Sequence, residues 1–383
     1  MKVLLVGNYL RDRQDSMQHY ASMLEAGMRA RGHEVRLVQP PAVLGARVAE
    51  SSRLFKWVGY ADKFLLFRRE LRRAAASADI VHLCDHSNAM YVSALARSAH
   101  VITCHDILAI RSAMDHFPEN PVGVTGRIFQ RQIARGLRQA YAILCVSGKT
   151  RDDLRQYLAV PEERLHVVPN ALHWPYKPVR ADECAALLSS IGVRPDEPYF
   201  LHVGGNHWYK NRGAAIEIFA ELRKLPPYAG ARLVMAGGAM RPELQAIAQK
   251  YRLADALLPA VGLSNEHLQA LYSCALATLF PSIEEGFGWP ILESQACGCP
   301  VVITDRPPMN HVAGGAAILI DPAKPETAAR TIADALRDPM RMRVEGLRNA
   351  ASYTTDRMLE QCEALYRDVL TAARRGHERF SPS

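Results

Sequence analysis

The sequence predicts an α/β protein made of two Rossmann-like domains that face each other across a cleft. Three observations predict it. Short apolar runs alternate with helical patterns through both halves of the chain, which is the signature of doubly wound parallel sheets. A polar, proline-rich break, "VPNALHWPYKPVRADE" at 168–183, separates the two series. The 383 residues are long for one core and ample for two.

Taken in order, the first series reads "KVLLV" as a strand, Met17 to Ala30 as a helix, then "EVRLV", "DIVHLC", "HVITC", "YAILCVS" and "RLHVV" as strands. The second opens with "YFLHVGG" (199–205) and continues with "ARLVMAGG", "CALATLF" (274–280), "PVVIT" and "AAILIDP", ending in the helical "TIADALR". Residues 1–175 therefore form an amino-terminal Rossmann-like domain and 176–353 a carboxyl-terminal one. Residues 354–383 are expected to form a helix, continuous from Thr354 to Arg375, that crosses back to the first domain.

Composition narrows the function. Apolar side chains make up 49% and charged ones 22%, which suits a packed globular chain. No run of about 18 apolar residues occurs, and "MKVLLVGNYLRD" becomes charged too early for a secretory leader, so a cytoplasmic protein is expected. Eight scattered cysteines without a Cys-x-x-Cys pair read as small buried thiols in a reducing compartment. Cys297 and Cys299 are too close for ordinary zinc spacing, so no metal or other cofactor is expected.

Charge is uneven. Residues 1–175 hold 24 basic against 16 acidic side chains, and the remainder 23 against 23. The densest basic stretch is "RLFKWVGYADKFLLFRRELRR", 53–73, with seven basic and two acidic residues interleaved with aromatic and aliphatic ones. It reads either as a helix packed on its sheet with its charged side in water, or as a segment lying on an anionic membrane. A basic nucleic-acid binder is the third option, but no recognition motif accompanies the charge, and no nucleic-acid partner is expected.

The chemistry concentrates in "EEGFGWPILESQACGCPVV", 284–302. The apolar run before it ends a strand, "PSIEEGFGW" is a loop, "PILESQAC" a short helix and "PVVIT" the next strand. Pro290 suits the first helical turn and Gly298 the residue just past the helix end. Such a loop sits at the carboxyl edge of a parallel sheet, where the following helix aims its unpaired N–H groups at a ligand. Gly286 and Gly288 allow the backbone to come close to it. Carboxylates repel phosphate, so Glu285 and Glu293 are expected to meet hydroxyl groups. A ligand with phosphates in its middle and hydroxyls at both ends is a nucleotide sugar. The plainer alternative is that a first-turn Glu only offsets the helix dipole.

These motifs resemble those of the retaining glycosyltransferases of family 4, whose fold is GT-B. The resemblance covers nearly the whole chain and implies that residues 1–175 are the acceptor domain and 176–353 the donor domain. Its specific part is the Glu, seven residues, Glu signature of Glu285 and Glu293, joined in order by "TCHDILAI", "CVSGKTRDDL", "VVPN", "HVGGNHWYKN" and "VGLSNEHLQALYSCA". Membership implies that Glu285 contacts donor-sugar hydroxyls, that Glu293 binds the ribose, and that the amides of Gly286, Phe287, Gly288 and Trp289 meet the sugar and diphosphate. It implies that Lys210 neutralises the leaving diphosphate, where charge builds in the transition state, and that His105 lies beside the reacting carbon.

Two departures stand out. Many members carry an Arg directly after the strand glycine, whereas Gly205 and Asn206 stand there; either Arg212 or the amides of Gly204 and Gly205 take over. Many carry paired glycines after the first strand, whereas this loop reads "GNYLRDRQDS", leaving Asn8 as the residue that approaches the diphosphate. For His105 the alternative is local packing, with Asp106 capping a helix.

The resemblance implies transfer of a hexosyl group from a nucleotide-diphosphate sugar to a hydroxyl of a glycan, lipid-linked or cell-envelope acceptor. Without an evident carboxylate nucleophile or an Asp-x-Asp motif, attack is expected from the leaving-group face, independent of metal. A dehydrogenase would need Gly-x-Gly-x-x-Gly after the first strand, which "VGNYLRD" lacks. A sugar-nucleotide 2-epimerase of the same fold, or a nucleotide-sugar-binding protein without transferase activity, remains as the alternative.

Overall fold

The structure, a computed structural model, describes every residue except 13, 45, 47, 49–57, 60, 61, 195 and 379–383; of 15, 64, 65 and 375–378 it describes the backbone alone. The chain divides into two compact units, Met1–His173 with Thr355–Ser383, and Trp174–Thr354.

The first unit holds six parallel strands: β1 (Lys2–Val6), β2 (Glu34–Val38), β3 (Ile80–Leu83), β4 (His100–Cys104), β5 (Ala142–Cys145) and β6 (Leu165–Val167), in the order β2-β1-β3-β4-β5-β6. Every residue of β3, β4 and β5 is buried, as expected for strands covered on both faces. Helix Asp15–Ala30 presents Tyr20, Leu24 and Met28, four residues apart and wholly buried. Helix Phe67–Ala75 buries Phe67, Leu71 and Ala74 on the same principle and leaves Arg69, Arg72 and Arg73 in water.

Helix Thr355–Glu378 belongs to this unit, and its stripe Met358, Leu359, Cys362, Leu365, Tyr366 and Val369 is buried. Its attachment is also polar. Glu363 takes a hydrogen bond from Arg31 and lies 2.6 Å from His33 Nε2, while Tyr366 bonds to His82 Nδ1. Burial is the main reason that His82 titrates low, at about 3, so it is a neutral member of this network.

The second unit repeats the plan with β7 (Tyr199–Gly204), β8 (Arg232–Gly237), β9 (Leu257–Ala260), β10 (Thr278–Phe280), β11 (Val301–Thr304) and β12 (Ile318–Ile320), all parallel, in the order β12-β11-β10-β7-β8-β9. Its core is built from Phe200, Phe219, Leu233, Met235 and Leu279 on and over the sheet, with Ile216, Leu222 and Ile332 from flanking helices.

Both sheets reverse their direction of growth once. In the first the reversal lies between β1 and β3, and in the second between β7 and β10. Adjacent crossovers leave for opposite sides there, opening a crevice at the carboxyl ends of the strands. Topology therefore singles out two loop pairs before any side chain is considered.

Candidate active site

In the second unit the crevice is flanked by the loop after β7 and the loop after β10. The latter enters helix Trp289–Ala296 through Gly288, whose φ of +98° is one that side chains with a Cβ rarely adopt. Pro290 occupies the first turn and Gly298, at φ +69°, follows the last. Within its first turn Pro290 has no N–H, and the Ile291 amide donates to the Gly288 carbonyl at 3.0 Å.

Glu293 is buried in this helix, and the Tyr272 hydroxyl donates to its Oε2 at 2.7 Å. Burial lifts its pKa to about 7, with the Tyr272 hydrogen bond and the Lys210 charge acting against the rise. Glu285, also buried, accepts from Lys210 Nζ at 2.7 Å. Lys210 itself ends a short turn, Trp208–Lys210, and its Nζ lies over the Phe280 ring at 5.0 Å. The Phe287 side chain is buried and packs edge-on against Trp289 and Tyr353.

Arg212 opens helix Arg212–Leu222 and turns back to the loop, donating from Nη1 to Asn206 Oδ1 and to the Ala239 carbonyl at 3.3 Å. It is 4% exposed, pairs with no carboxylate, and its Nε and Nη2 make no hydrogen bond among the described residues. Burial first, then the charge of Arg241, lowers its pKa. Beside it, His202 Nδ1 donates to the Leu279 carbonyl at 2.9 Å, and a Cβ added at Gly204 would stand 3.3 Å from His202 Nε2 and 3.4 Å from the Lys210 stem. Gly205 adjoins this turn and completes the set of residues expected at the loop.

In the first unit the crevice edge carries Asn8 after β1, Asp85 to Asn88 after β3, and His105 with Asp106 after β4. His105 is buried, with Nε2 donating to the Cys84 carbonyl at 3.0 Å and its ring edge-on to Tyr20. Burial lowers its pKa, with Asp85 opposing. Asp106 accepts from the Leu108 amide at 2.8 Å at the start of helix Leu108–Ala113. Asn8 is 3% exposed; its amide donates to Gln14 and Asp85 and its oxygen accepts from Asn88 at 2.8 Å. The side chain expected to approach a diphosphate is thus engaged in holding its own loop.

Sequence reasoning missed Tyr272, His202, Asp85 and His86. For the last two a signal was present: β3 and β4 end in mirrored triplets, Cys84-Asp85-His86 and Cys104-His105-Asp106, and the strands lie side by side. Among the described residues no group of three or more His, Cys, Asp or Glu is placed to hold a metal ion.

Comparison with known proteins joins the two units. The model of "Glycosyl transferases group 1" matches residues 187–355, and that of "Glycosyltransferase Family 4" matches 17–173. The chain is 26% identical over 240 residues, 62% of its length, to O-antigen chain mannosyltransferase B of Escherichia coli, and 26% identical over 312 residues, 79% of its length and 80% of the relative's, to alpha-D-kanosaminyltransferase of Streptomyces kanamyceticus. The match spans 61% of the length of the mannosyltransferase.

Among solved structures, sucrose-phosphate synthase of Thermosynechococcus elongatus superposes with a TM-score of 0.73 at 17% identity, over 97% of this chain and all of that one. WaaG, a glycosyltransferase involved in lipopolysaccharide biosynthesis, superposes at 0.69 and 16% identity, over 96% and 99%. The fold is the two-domain GT-B fold, and the chain belongs to the group 1 glycosyltransferases, with a family 4 domain at its amino-terminal side.

Proposed function

We propose that the protein is a retaining, metal-independent transferase that moves a hexosyl group from a nucleotide-diphosphate sugar to a hydroxyl of a glycan, lipid-linked or cell-envelope acceptor. The observation that carries this reading is the β7/β10 crevice, where Glu293, the Lys210–Glu285 pair, the buried edge of Arg212 and the start of helix Trp289–Ala296 converge. Carboxylates for hydroxyls and cations with backbone amides for phosphates suit the two halves of a nucleotide sugar. The relatives' names agree in kind: mannosyl- and kanosaminyltransferases among the sequences, and an Anabaena protein, HepE, solved with UDP and glucose among the folds.

In this reading Glu293 takes the ribose and Glu285 the donor sugar. The amides of Gly286, Phe287, Gly288 and Trp289 flank the sugar and diphosphate. Lys210 opposes the charge of the leaving diphosphate, and Arg212, tethered to Asn206 and offering Nε and Nη2 as a two-pronged edge, supplies the second basic ligand. Gly205 lets the diphosphate approach the loop, and His105 is assigned to the donor sugar by the family resemblance. The bond from the acceptor oxygen to the anomeric carbon forms on the face from which the bond to the diphosphate breaks, and the acceptor proton leaves with the diphosphate. Protein groups thus act by position and charge. Peripheral attachment to an anionic membrane through 53–73 is part of the proposal.

Thermal unfolding with UDP-, GDP- and ADP-sugars tests it. A ligand at 100 times its dissociation constant stabilises by about 2.7 kcal/mol, and one nucleotide series is expected to do so. Glu293→Ala should weaken that nucleotide at least about tenfold, the loss of one charge-assisted hydrogen bond. Turnover should survive EDTA. No stabilisation by any of the three series, or unchanged affinity in Glu293→Ala, refutes the donor site; loss of turnover in EDTA refutes independence from metal.

A further inference from the structure

The His105 side chain, assigned above to the donor sugar, is held by two other elements. Its Nε2 donates to the Cys84 carbonyl at 3.0 Å, and its ring meets the Tyr20 ring edge-on, the centroids 4.9 Å apart. Both contacts lead into one buried chain of hydrogen bonds. The Tyr20 hydroxyl lies 2.9 Å from Thr103 Oγ1, Thr103 Oγ1 lies 2.7 Å from His82 Nε2, and His82 Nδ1 is bonded to the Tyr366 hydroxyl. All four side chains are 0% exposed, so water cannot stand in for a lost partner.

The chain ties together helix Asp15–Ala30, β4, β3 and helix Thr355–Glu378. Thr103 and His82 stand two residues before His105 and Cys84, on strands that lie side by side. Each therefore sits at the base of one half of the Cys84–His105 hydrogen bond. His82 is neutral, so one ring nitrogen carries a hydrogen and the other accepts. What Tyr366 does at Nδ1 thus fixes what Nε2 offers to Thr103, and Thr103 in turn orients the Tyr20 hydroxyl. A group on the last helix is linked in this way to the ring that packs on His105.

We propose that Thr103, His82 and Tyr366 are positioning residues for His105, acting through Tyr20 and the Cys84 carbonyl, so that the docking of helix Thr355–Glu378 sets the orientation of the imidazole. The proposal rests on the reading that puts His105 beside the donor sugar, and it extends the support of that site to the last helix of the chain.

NMR of the full, ligand-free chain carrying nitrogen-15 histidine tests it, because two-bond proton–nitrogen correlations report which ring nitrogen holds the hydrogen. The His105→Ala spectrum assigns the signal. In the parent His105 should be protonated on Nε2. Tyr366→Phe and Thr103→Val should each shift its tautomer ratio about fivefold toward Nδ1, the weight of one neutral hydrogen bond. Thr103→Ser restores the hydroxyl and should restore the parent spectrum. Val369→Ala truncates a buried residue of the same helix outside the chain of hydrogen bonds. It should lower the unfolding temperature and leave the His105 tautomer unchanged, which separates positioning from loss of stability. A parent protonated on Nδ1, a signal unmoved by Tyr366→Phe or by Thr103→Val, or one moved as far by Val369→Ala overturns the assignment. Hydrolysis of UDP-glucose, GDP-mannose and ADP-glucose without acceptor then tests the reading beneath it. A tautomer that follows Tyr366 while His105→Ala hydrolyses these donors at the parent's rate would uphold the positioning chain and refute the place of His105 at the sugar.

Discussion

At the scale of single residues, Glu293 shows how a site is built against the interests of the fold. Its carboxyl is buried, accepts from the Tyr272 hydroxyl, and has its pKa raised by burial from the ordinary 4.5 to about 7. A carboxyl whose pKa is raised on folding binds its proton more tightly in the folded chain. Stability is therefore fully favoured below about pH 4.5, declines as pH rises through the window from 4.5 to 7, and stays reduced above it. The reduction reaches about 3 kcal/mol if the whole shift is realised. Glu293→Gln should flatten this slope, so that the ligand-free variant is more stable than the parent at pH 8 and nearly equal at pH 4.5, while its nucleotide affinity falls. Urea unfolding at the two pH values checks it; equal pH slopes in variant and parent would mean that the shift lies elsewhere. None of this was legible in the sequence, where Tyr272 is 21 positions away and burial is not written. The same holds for Lys210 and Glu285, whose contact spans 75 positions.

At the scale of elements the sequence was more informative, for a physical reason. Parallel strands covered on both faces are continuous apolar runs, so "KVLLV", "EVRLV", "HVITC" and "PVVIT" coincide with β1, β2, β4 and β11. Surface helices carry a weaker mark, and Val124–Gln139, Gly148–Leu158 and Ala181–Ser190 went unread. The stretch 53–73 was legible only as an ambiguity. Residues 53–57, 60 and 61 and the side chains of 64 and 65 lie outside the described residues, but the rest divides the question. Phe67 and Leu71 are in the core and so are withdrawn from any membrane, whereas Leu66 is 43% exposed and Arg69, Arg72 and Arg73 face solvent. What remains for an anionic surface is an arginine face of helix Phe67–Ala75. Attraction of about 1 kcal/mol per basic residue near such a surface predicts co-sedimentation with phosphatidylserine vesicles at low ionic strength and release at high salt. Arg69→Gln with Arg72→Gln and Arg73→Gln should lose it without loss of folding, since these side chains lie outside the core. Equal sedimentation by the variant, or none by the parent, would leave the helix as an ordinary packed one.

At the scale of the whole molecule, the two units are both six-stranded parallel sheets but differ in strand order and in how they store titratable groups, and the latter is expected to set their order of unfolding in acid. Among the described residues the first unit holds four histidines whose pKa is lowered, His82, His100, His105 and His166, burial being the largest cause in each. The second holds His202, lowered to about 3 for the same reason, and Glu293, raised to about 7. A histidine with a lowered pKa binds its proton less tightly when folded, so the stability it confers is complete above about 6.5 and is lost as pH falls toward the folded value. Glu293 works in the opposite sense and gains as pH falls from 7 to 4.5, offsetting His202 within its own unit. In the first unit His86, with a raised pKa, acts against the four, but its contribution is already present below 6.5 and does not grow further as acid is added. Between pH 7 and 5, therefore, the first unit should lose the greater share of its stability. Hydrogen exchange read by mass spectrometry at the two pH values, corrected for the intrinsic pH dependence of exchange, is expected to show protection falling in β3 and β4 before it falls in β7 and β10. A fall in both units together, or in the second first, would show that groups other than these histidines and Glu293 govern the acid response.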